Sequence, residues 1–256
     1  MKPLAIDLFS GLGGWTSGLT AAGWRVVRFD IVDMCKEIGE PYPEGDQQLV
    51  LQNVLTLHGR QFKDARLICS SSPCQKYSYM AMPFSPGKAM AADIRADKSG
   101  AKLKALNTLY DAQFRIQREA SEAAGRHIPM VCENVRGAQE WVGKAKWNAG
   151  SMYFWGDLPA LMPTHRHTKV KSFRFDGSGG SFQTASVRRT DIGKGARFTS
   201  RDCGDESRWF NDGPRSPDSL ASSSSSSPAR KAASARIAKI PIDISEWIGR
   251  VYHPDY

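Results

Sequence analysis

The stretch that decides the fold opens the chain and reads Leu4-Ala5-Ile6-Asp7-Leu8-Phe9-Ser10-Gly11-Leu12-Gly13-Gly14. Its apolar residues predict a buried strand over Leu4–Phe9, and its glycines predict a turn into a helix over Trp15–Ala22. Because glycines at a helix N-terminus let a ligand approach the backbone, this turn is a candidate cofactor site; the alternative is a tight connection. Thr16 occupies the third glycine position of the dinucleotide fingerprint, which argues against NAD or FAD.

Three further apolar runs end in polar or reactive residues. The first, Trp24–Phe29, ends at Asp30, whose carboxylate could accept hydrogen bonds from ribose hydroxyls. The other two are Ala65–Cys69, followed by Ser70-Ser71-Ser72-Pro73-Cys74, and Ile128–Cys132, followed by Glu133. A helical periodicity over Leu103–Ala124 separates them. Strands that alternate with helices predict an α/β fold with a parallel sheet and sites at the carboxyl ends of its strands.

Two strand ends carry residue types suited to catalysis. Pro73 stiffens the approach to Cys74, and a helix or loop N-terminus behind that thiol would favour its thiolate; the alternative is a structural buried cysteine. Glu133 could hydrogen-bond a nucleobase edge, or it could cap a following helix. Phe9 could cover an adenine face or belong to the core, and Asp30 could instead cap a helix.

Composition favours a basic α/β enzyme with a polyanionic partner. The 256 residues fit one domain plus a smaller lobe, and the net charge is +9. Residues 76–105 contribute six Lys/Arg against two Asp, and residues 151–236 contribute fourteen Lys/Arg against eight Asp/Glu. The alternative for either segment is a solvated surface.

Cysteine usage and hydropathy indicate a reducing cytoplasm. The five cysteines are odd in number and include no Cys-x-x-Cys pair, so neither a disulfide framework nor a zinc site is indicated. No signal peptide and no membrane-spanning apolar run is present in the sequence, so we expect no membrane partner.

The C-terminal third changes character. Residues 150–235 are rich in Gly, Ser, Arg and aromatics, and the six serines Ser222–Ser227 predict a flexible linker. Regular structure returns with a helix predicted over Ser245–Tyr252, for which Ser245 is a plausible N-cap.

Three motifs together resemble the cytosine-C5 methyltransferases: the glycine turn, Ser72-Pro73-Cys74-Gln75 with Tyr77-Ser78 behind it, and Glu133-Asn134-Val135. They occur in the family's order, and the run Tyr153–Pro159 is similar to that of compact phage-type members. The resemblance covers roughly residues 3–160 and the last 25. It implies a Rossmann-like S-adenosylmethionine-dependent methyltransferase domain with a small inserted target-recognition lobe. The implied division is residues 1–159 for catalysis and cofactor, 160–232 for the lobe with its serine linker, and 233–256 for the returning helix.

The resemblance also implies roles for particular residues. S-adenosylmethionine would be held by the turn and by strand-end residues, namely Phe9, Ser10, Gly11, Leu12, Gly14 and Pro73. Asp30 would take the ribose hydroxyls, and Asn53 stands where the family has Asp near the adenine amino group. Cys74 would be the nucleophile and Glu133 the partner of the base, with Asn134 beside it. The partner would be double-stranded DNA, bound by a monomer that flips out the cytosine. Residues 76–105 would form a mobile loop over the phosphates.

Two departures from the family pattern bear on the site. The Gln-x-Arg-x-Arg motif is absent, and Arg166 within His165–Lys171 is the nearest substitute for the arginine at the base O2; the alternative is a DNA-backbone strand or a solvated edge. Lys239 lies where the family carries Gly-Asn-Ser-Val, near the sulfonium. It could select carboxy-S-adenosylmethionine and give carboxymethylcytosine, or simply point outward.

Two rival functions remain open at this point. The first keeps the mechanism but uses RNA as the substrate. The second is a DNA-binding protein on an inactive methyltransferase scaffold, which the joint presence of Cys74 and Glu133 disfavours.

Overall fold

The computed structural model describes residues 1–78, 84–164 and 228–255. The chain divides into two compact units, one comprising Met1–Glu37, Pro41–His165 and Ile240–Tyr256, and the other Ile38–Glu40 with Arg166–Lys239. The second unit is described at residues 38–40 and 228–239, where Arg236 Nε donates to Glu40 Oε1 over 2.7 Å. Arg166, the serine run and most of the predicted lobe over 160–232 lie outside the described residues, so the predicted domain division stays a prediction.

A seven-stranded sheet forms the centre of the first unit. Its strands are β1 (Leu4–Leu8), β2 (Arg25–Asp30), β3 (Gln47–Leu51), β4 (Leu67–Ser71), β5 (Met130–Val135), β6 (Trp147–Ala149) and β7 (Met152–Gly156). They are arranged in the order β3-β2-β1-β4-β5-β7-β6. The first five are parallel, whereas β7 runs antiparallel to both of its neighbours. The predicted Rossmann-like α/β fold is confirmed.

The helices follow the strands along the chain. They are α1 (Gly14–Ala21), α2 (Met34–Ile38), α3 (Phe84–Ala96), α4 (Ala101–Ala124), α5 (Gln139–Val142), α6 (Pro228–Ala238) and α7 (Ile242–Tyr252). Three 3-10 helices lie at Val54–Thr56, Gly59–Phe62 and Arg136–Ala138. Within the described part of the chain, no helix combines the length and apolar character that crossing a bilayer requires.

Each face of the sheet is covered by its own apolar layer. Along β1, Ala5 packs with Trp15 and Leu19 of α1 and with Ile244 of α7. Ile6 and Leu8 face the opposite way, into the layer that includes the buried residues of α4. This alternation follows from the two-residue period of a strand, and it places Asp7 on the α1 side.

Glycines bring α1 and the start of α7 into backbone contact. A Cβ on Gly14 would lie 2.4 Å from the backbone nitrogen of Ile240, and one on Gly18 would lie 2.3 Å from that of Glu246. Any larger residue would force the two segments apart. The contact explains why the C-terminal segment returns to the helix that begins at the glycine turn.

Two predictions about elements are wrong. The last helix begins at Ile242, behind Pro241, and Ser245 lies buried inside it, where its hydroxyl donates to the Pro241 carbonyl. Proline is well suited to a helix start because its φ angle is already helical.

The second error concerns residues 76–105, which were predicted to form a loop. Their described part is mostly helical, since it contains α3 and the start of α4. Alanine-rich sequence favours the helix, and the basic residues there include Lys102 and Arg95, which pair with Asp93 and Glu140.

Candidate active site

The candidate residues gather at the carboxyl ends of four neighbouring parallel strands. The glycine turn follows β1, Asp30 ends β2, Cys74 lies on the turn after β4, and Glu133 lies in β5. From β1 the chain continues to β2 on one side of β1, whereas β4 pairs with the other side of β1. The carboxyl end of β1 is therefore a topological switch point of the sheet. Ligands of open α/β sheets bind at such points.

The glycine turn has a backbone that few sequences adopt. Phe9 has a φ of 57°, in the left-handed region, and Gly11 and Gly13 follow with φ of 49° and 69°. Asp30 holds the turn, because its carboxylate accepts from the Gly11 amide at 2.8 Å and from the Ile31 amide at 2.7 Å. Asp30 therefore holds the glycine turn and does not cap a helix. The carboxylate that accepts from a backbone amide at the start of α2 belongs to Asp33.

The turn fits an adenosyl ligand in two respects. A Cβ on Gly11 would meet nothing within 4 Å, so space is open against this part of the backbone. The buried hydroxyl of Ser10 has no hydrogen-bond partner, which is unusual for a buried polar group. Phe9 is half-buried and packs against the core, so its ring could belong to the core and still cover an adenine. Leu12 and Gly14 are buried, and the tight contact with Ile240 gives Gly14 a packing role.

Asn53 has a local structural role that the sequence did not suggest. Its side-chain oxygen accepts from the Leu55 amide at 2.9 Å and caps the 3-10 helix Val54–Thr56. The side chain is exposed, so a second contact with an adenine amino group is still open to it. That contact stays a prediction.

Two buried charged residues beneath the turn were missed. Arg28 Nη2 donates to the Gly11 carbonyl at 3.2 Å, and Asp7 accepts from the hydroxyl of Thr16 at 2.6 Å. Burial raises the pKa of Asp7 to about 6, against the lowering effects of Thr16 and Arg28. A charged residue inside an otherwise apolar strand was the available signal, since such residues are seldom buried without a reason.

Cys74 differs from the other described cysteines in its exposure. It is half-buried, whereas Cys35, Cys69 and Cys132 are buried. The Tyr77 and Ser78 amides both donate to the Cys74 carbonyl at 2.9 Å, so the thiol sits at the start of a tight turn. Exposure at a strand end is what a nucleophile needs, and it counts against the structural alternative.

Hydrogen bonds anchor this turn on both sides. Before Cys74, the buried Asn134 amide donates to the Ser72 carbonyl at 2.9 Å and to its hydroxyl at 3.1 Å. After Cys74, the buried Tyr77 hydroxyl donates to the Asn107 side chain of α4 at 2.9 Å. Asn134 therefore holds the turn that carries Cys74, whereas Pro73 is exposed between these anchors.

Glu133 is uncharged at neutral pH. Burial raises its pKa to about 8, against a hydrogen bond with Ser71 that lowers it. Glu133 lies within β5, and Val135 precedes the following 3-10 helix, so the helix-cap alternative does not apply.

The thiolate of Cys74 is not favoured by the described structure, which lacks the helix N-terminus that the sequence hypothesis invoked. Burial raises the pKa of the thiol, and the charge of Glu133 raises it further. The physical reason is local, because the described residues after Cys74 form a turn with no helix N-terminus. The two reactive groups therefore both hold their protons at neutral pH.

Two sequence candidates, Arg166 and Lys239, belong to the second unit, and Arg166 lies outside the described residues. Lys239 follows α6 and its side chain is exposed, which agrees with the outward-pointing alternative; its role towards the cofactor stays a prediction. A cavity of about 1020 Å³ lies along α4 and the indole rings of Trp141 and Trp155. None of the candidate site residues lines it, so cavity size does not mark the site.

Comparison with known families matches this geometry. The family model described as C-5 cytosine-specific DNA methylase matches residues 4–91. The methylase match takes in the glycine turn, Asp30 and Cys74, and the family resemblance inferred from the sequence is confirmed. No curated protein matches the chain.

Solved structures similar to this chain include three methyltransferases. One is described as a DNA modification methyltransferase encoded within a prophage of E. coli, with 22% identity over 56% of this chain and 35% of that chain, and a TM-score of 0.35. The S. pombe Dnmt2 methyltransferase has 16% identity over 56% and 37%, with a TM-score of 0.33. The Entamoeba histolytica methyltransferase EhMeth has 19% identity over 56% and 41%, with a TM-score of 0.32. The chain thus spans well under half the length of these structures.

Proposed function

We propose that the protein transfers a methyl group from S-adenosylmethionine to C5 of a cytosine in double-stranded DNA, through a covalent bond between Cys74 and C6 of the base. One observation carries this proposal. An accessible thiol and a protonated carboxylic acid lie at the ends of two paired strands, β4 and β5, beside the turn of a C-5 cytosine-specific methylase domain. Thiol and acid are the two groups that addition to a pyrimidine requires.

Covalent addition solves the chemical difficulty of the reaction. C5 of cytosine is too weak a nucleophile to accept a methyl group directly. When Cys74 Sγ bonds to C6 as a thiolate, the electrons of the C5–C6 double bond move towards N3, and the proton of Glu133 passes to N3. The resulting enamine carries nucleophilic character at C5.

The reaction ends by reversing the addition. After C5 has gained its methyl group, the C5 proton leaves, the Sγ–C6 bond breaks and the C5–C6 double bond forms again. The thiolate of Cys74 is regenerated, and the proton on N3 returns to Glu133. The net change is the replacement of one hydrogen on C5 by a methyl group.

The glycine turn and Asp30 would hold the cofactor next to this site. Phe9, Ser10 and Gly11 offer a ring face, an unpartnered hydroxyl and open backbone, and the Asp30 carboxylate keeps lone pairs for ribose hydroxyls. When bound, S-adenosylmethionine would supply an electrophilic methyl group on its sulfonium.

DNA recognition is assigned to the basic parts of the chain. A target base inside a duplex is inaccessible, so the cytosine must be flipped out. Arg166 and the predicted lobe over 160–232 would choose the target and contact phosphates, in keeping with the excess of fourteen Lys/Arg over eight Asp/Glu in residues 151–236. Lys239 is the one residue that would favour carboxy-S-adenosylmethionine; competition between the two cofactors, read by nucleoside mass spectrometry, tests this with Lys239→Asn as the comparison.

The decisive experiment replaces the nucleophile. We expect Cys74→Ala to lose all methyl incorporation while it still binds DNA, because the thiolate is the only group that can add to C6. Duplex DNA that contains 5-fluorocytosine should trap the wild-type protein covalently, since fluorine cannot leave as a cation. Cys69→Ala, at a buried cysteine inside β4, is the control and should still form the adduct.

Three results would redirect the proposal. Normal turnover by Cys74→Ala would refute the nucleophile. Methylation of RNA in preference to duplex DNA would keep the mechanism and change the substrate. DNA binding without any methyl incorporation by the wild-type protein would point to the non-enzymatic scaffold.

A further inference from the structure

The indole of Trp15 is hydrogen-bonded to a serine that neighbours the proposed catalytic acid. Trp15 is the second residue of α1, only 2% exposed, and its Nε1 donates to Ser71 Oγ over 3.0 Å. Its ring also meets that of Phe154 edge-on, with 6.1 Å between the centroids and 86° between the planes. The indole is therefore fixed in place. Because an indole N–H can only donate, Ser71 must act as the acceptor in this bond.

Ser71 and Glu133 are partners across the parallel strands β4 and β5. Side chains at such partner positions emerge on the same face of a sheet and are direct neighbours. With the Trp15 N–H directed at its oxygen, Ser71 keeps its own proton for a different acceptor. The Ser71 hydroxyl is close enough to lower the pKa of the Glu133 carboxyl group, which extends the connection from the indole through the hydroxyl to the carboxyl group.

We propose that Ser71 is a positioning residue that sets the orientation of the Glu133 carboxyl group, and that Trp15 ties this orientation to the helix that begins at the cofactor turn. The inference rests on the proposed function, since it assigns Glu133 the role of acid towards the base. It adds a polar connection between the two halves of the site. Trp15 directly follows Gly13 and Gly14 of the cofactor turn. Its bond to Ser71 would therefore connect a cofactor on that turn with the acid in β5.

The surroundings of Glu133 leave this role to Ser71. Among the described residues, the charge of Glu133 acts on two titratable neighbours, Cys74 on the turn after β4 and Cys132 next to it in β5. Both are thiols, which are weak hydrogen-bond donors. A carboxyl group without the Ser71 donor would turn more freely and would be harder to ionise.

The test compares Ser71→Ala with Ser71→Thr, which keeps the hydroxyl. We expect Ser71→Ala to lower kcat for methyl transfer about tenfold, as for a misplaced reacting group, with the KM for DNA unchanged within about twofold. Ser71→Thr should recover most of kcat. Carbon NMR of protein labelled at the glutamate carboxyls, assigned with Glu133→Gln, should show Glu133 titrating at higher pH in Ser71→Ala.

Ser70→Ala is the matched control, because Ser70 lies one residue earlier in β4 and donates to Gln113 of α4 at 2.6 Å. It removes a hydroxyl from the opposite face of β4, where Ser70 is more deeply buried than Ser71, and it should leave the Glu133 titration unchanged. Trp15→Phe, which keeps a ring and removes the N–H, should change kcat and the titration in the same direction as Ser71→Ala. It carries the test if Ser71→Ala does not fold.

An unchanged Glu133 titration and an unchanged kcat in Ser71→Ala would overturn the proposal. So would the same shift of titration in Ser70→Ala, since it would reveal a general effect of loosening β4. Failure of the wild-type protein to methylate any nucleic acid would refute the proposed function instead. The NMR titration needs no turnover, so it would still decide whether Ser71 governs the Glu133 carboxyl group.

Discussion

At neutral pH, Glu133 and Cys74 both hold their protons. Glu133 can therefore donate a proton at the start of the reaction, whereas Cys74 must first lose one. With a pKa of about 8, Glu133 holds at neutral pH the proton that the proposed addition would pass to N3. The raised pKa of Cys74 means that the thiolate is a minor species at neutral pH. Burial is the main cause of both effects, because a low-dielectric environment disfavours each charged form.

These pKa values predict the pH dependence of kcat/KM for DNA. Below about pH 8, Glu133 keeps its proton, so the rate should rise with pH as more Cys74 ionises. Above about pH 8, the loss of the Glu133 proton should cancel the gain from Cys74 ionisation, so the rate should level off. The rate should then fall once pH exceeds the raised pKa of Cys74. Initial rates at subsaturating DNA measure this profile. A rate that stays constant between pH 6 and pH 8 would contradict it.

Replacing Glu133 by glutamine separates chemistry from binding. The amide still fits the site and can donate to the base, but it cannot give up a proton to N3. We expect turnover to fall by ~10²-fold or more, with DNA affinity retained. Glu122→Gln, at an exposed position of α4, is the control. If Glu133→Gln lost affinity and kept its turnover, Glu133 would be a binding residue.

At the scale of elements, tight contacts rather than long helices fix the Cys74 turn and the glycine turn. Asn134 and Tyr77 anchor the Cys74 turn to β5 and to α4. Gly14 and Gly18 let α1 approach the backbone of the C-terminal segment, which a side chain would prevent. The turn that would hold the cofactor therefore depends on residues more than two hundred positions later in the chain.

Gly18→Ala tests the contact between α1 and α7. In an isolated helix this change would stabilise by roughly 1 kcal/mol. Here the new Cβ would lie 2.1 Å from Ser245 Oγ, so we expect the free energy of unfolding to fall by ~1–3 kcal/mol. Ser17→Ala, which removes only a bond to the Gly13 carbonyl within the same turn, should cost less than this. Urea denaturation measures both, and stabilisation by Gly18→Ala would refute the packing role.

At the scale of the whole molecule, two carboxyl groups with raised pKa values set an unusual dependence of stability on pH. The folded-state pKa values are about 6 for Asp7 and about 8 for Glu133, above the values of 3.8 and 4.5 that the exposed groups have. The folded protein therefore binds more protons than the unfolded chain over this range. By linkage, folding becomes more favourable as pH falls from 8 towards 5.

The melting temperature measures this effect. We expect Tm to rise by ~5 °C or more between pH 8 and pH 5, opposite to the usual acid destabilisation. In Glu133→Gln the contribution of Glu133 is removed, so the variant should be more stable than wild type at pH 8 and its Tm should depend less on pH. A wild-type Tm that falls steadily over the same range would show that these carboxyl groups are not buried as described.

The sequence by itself determined the α/β class, the parallel strands and the candidates at their ends. Local patterns suffice for this, since apolar runs, glycines and Leu103–Ala124 each reflect interactions within a few residues. The glycine turn, Cys74 and Glu133 could be found because their residue types are chemically distinctive. Even so, the antiparallel strands β6 and β7 and the helix α3 escaped prediction, since short or alanine-rich segments carry weak apolar patterns.

Only the tertiary structure decided how these candidates behave. The protonated state of Glu133 and the un-ionised thiol of Cys74 arise from burial, which depends on what the rest of the chain packs around them. The same is true of the bond from Trp15 to Ser71, whose partners are 56 residues apart. Desolvation and hydrogen bonding across strands are properties of neighbours in space, and a linear sequence does not specify them.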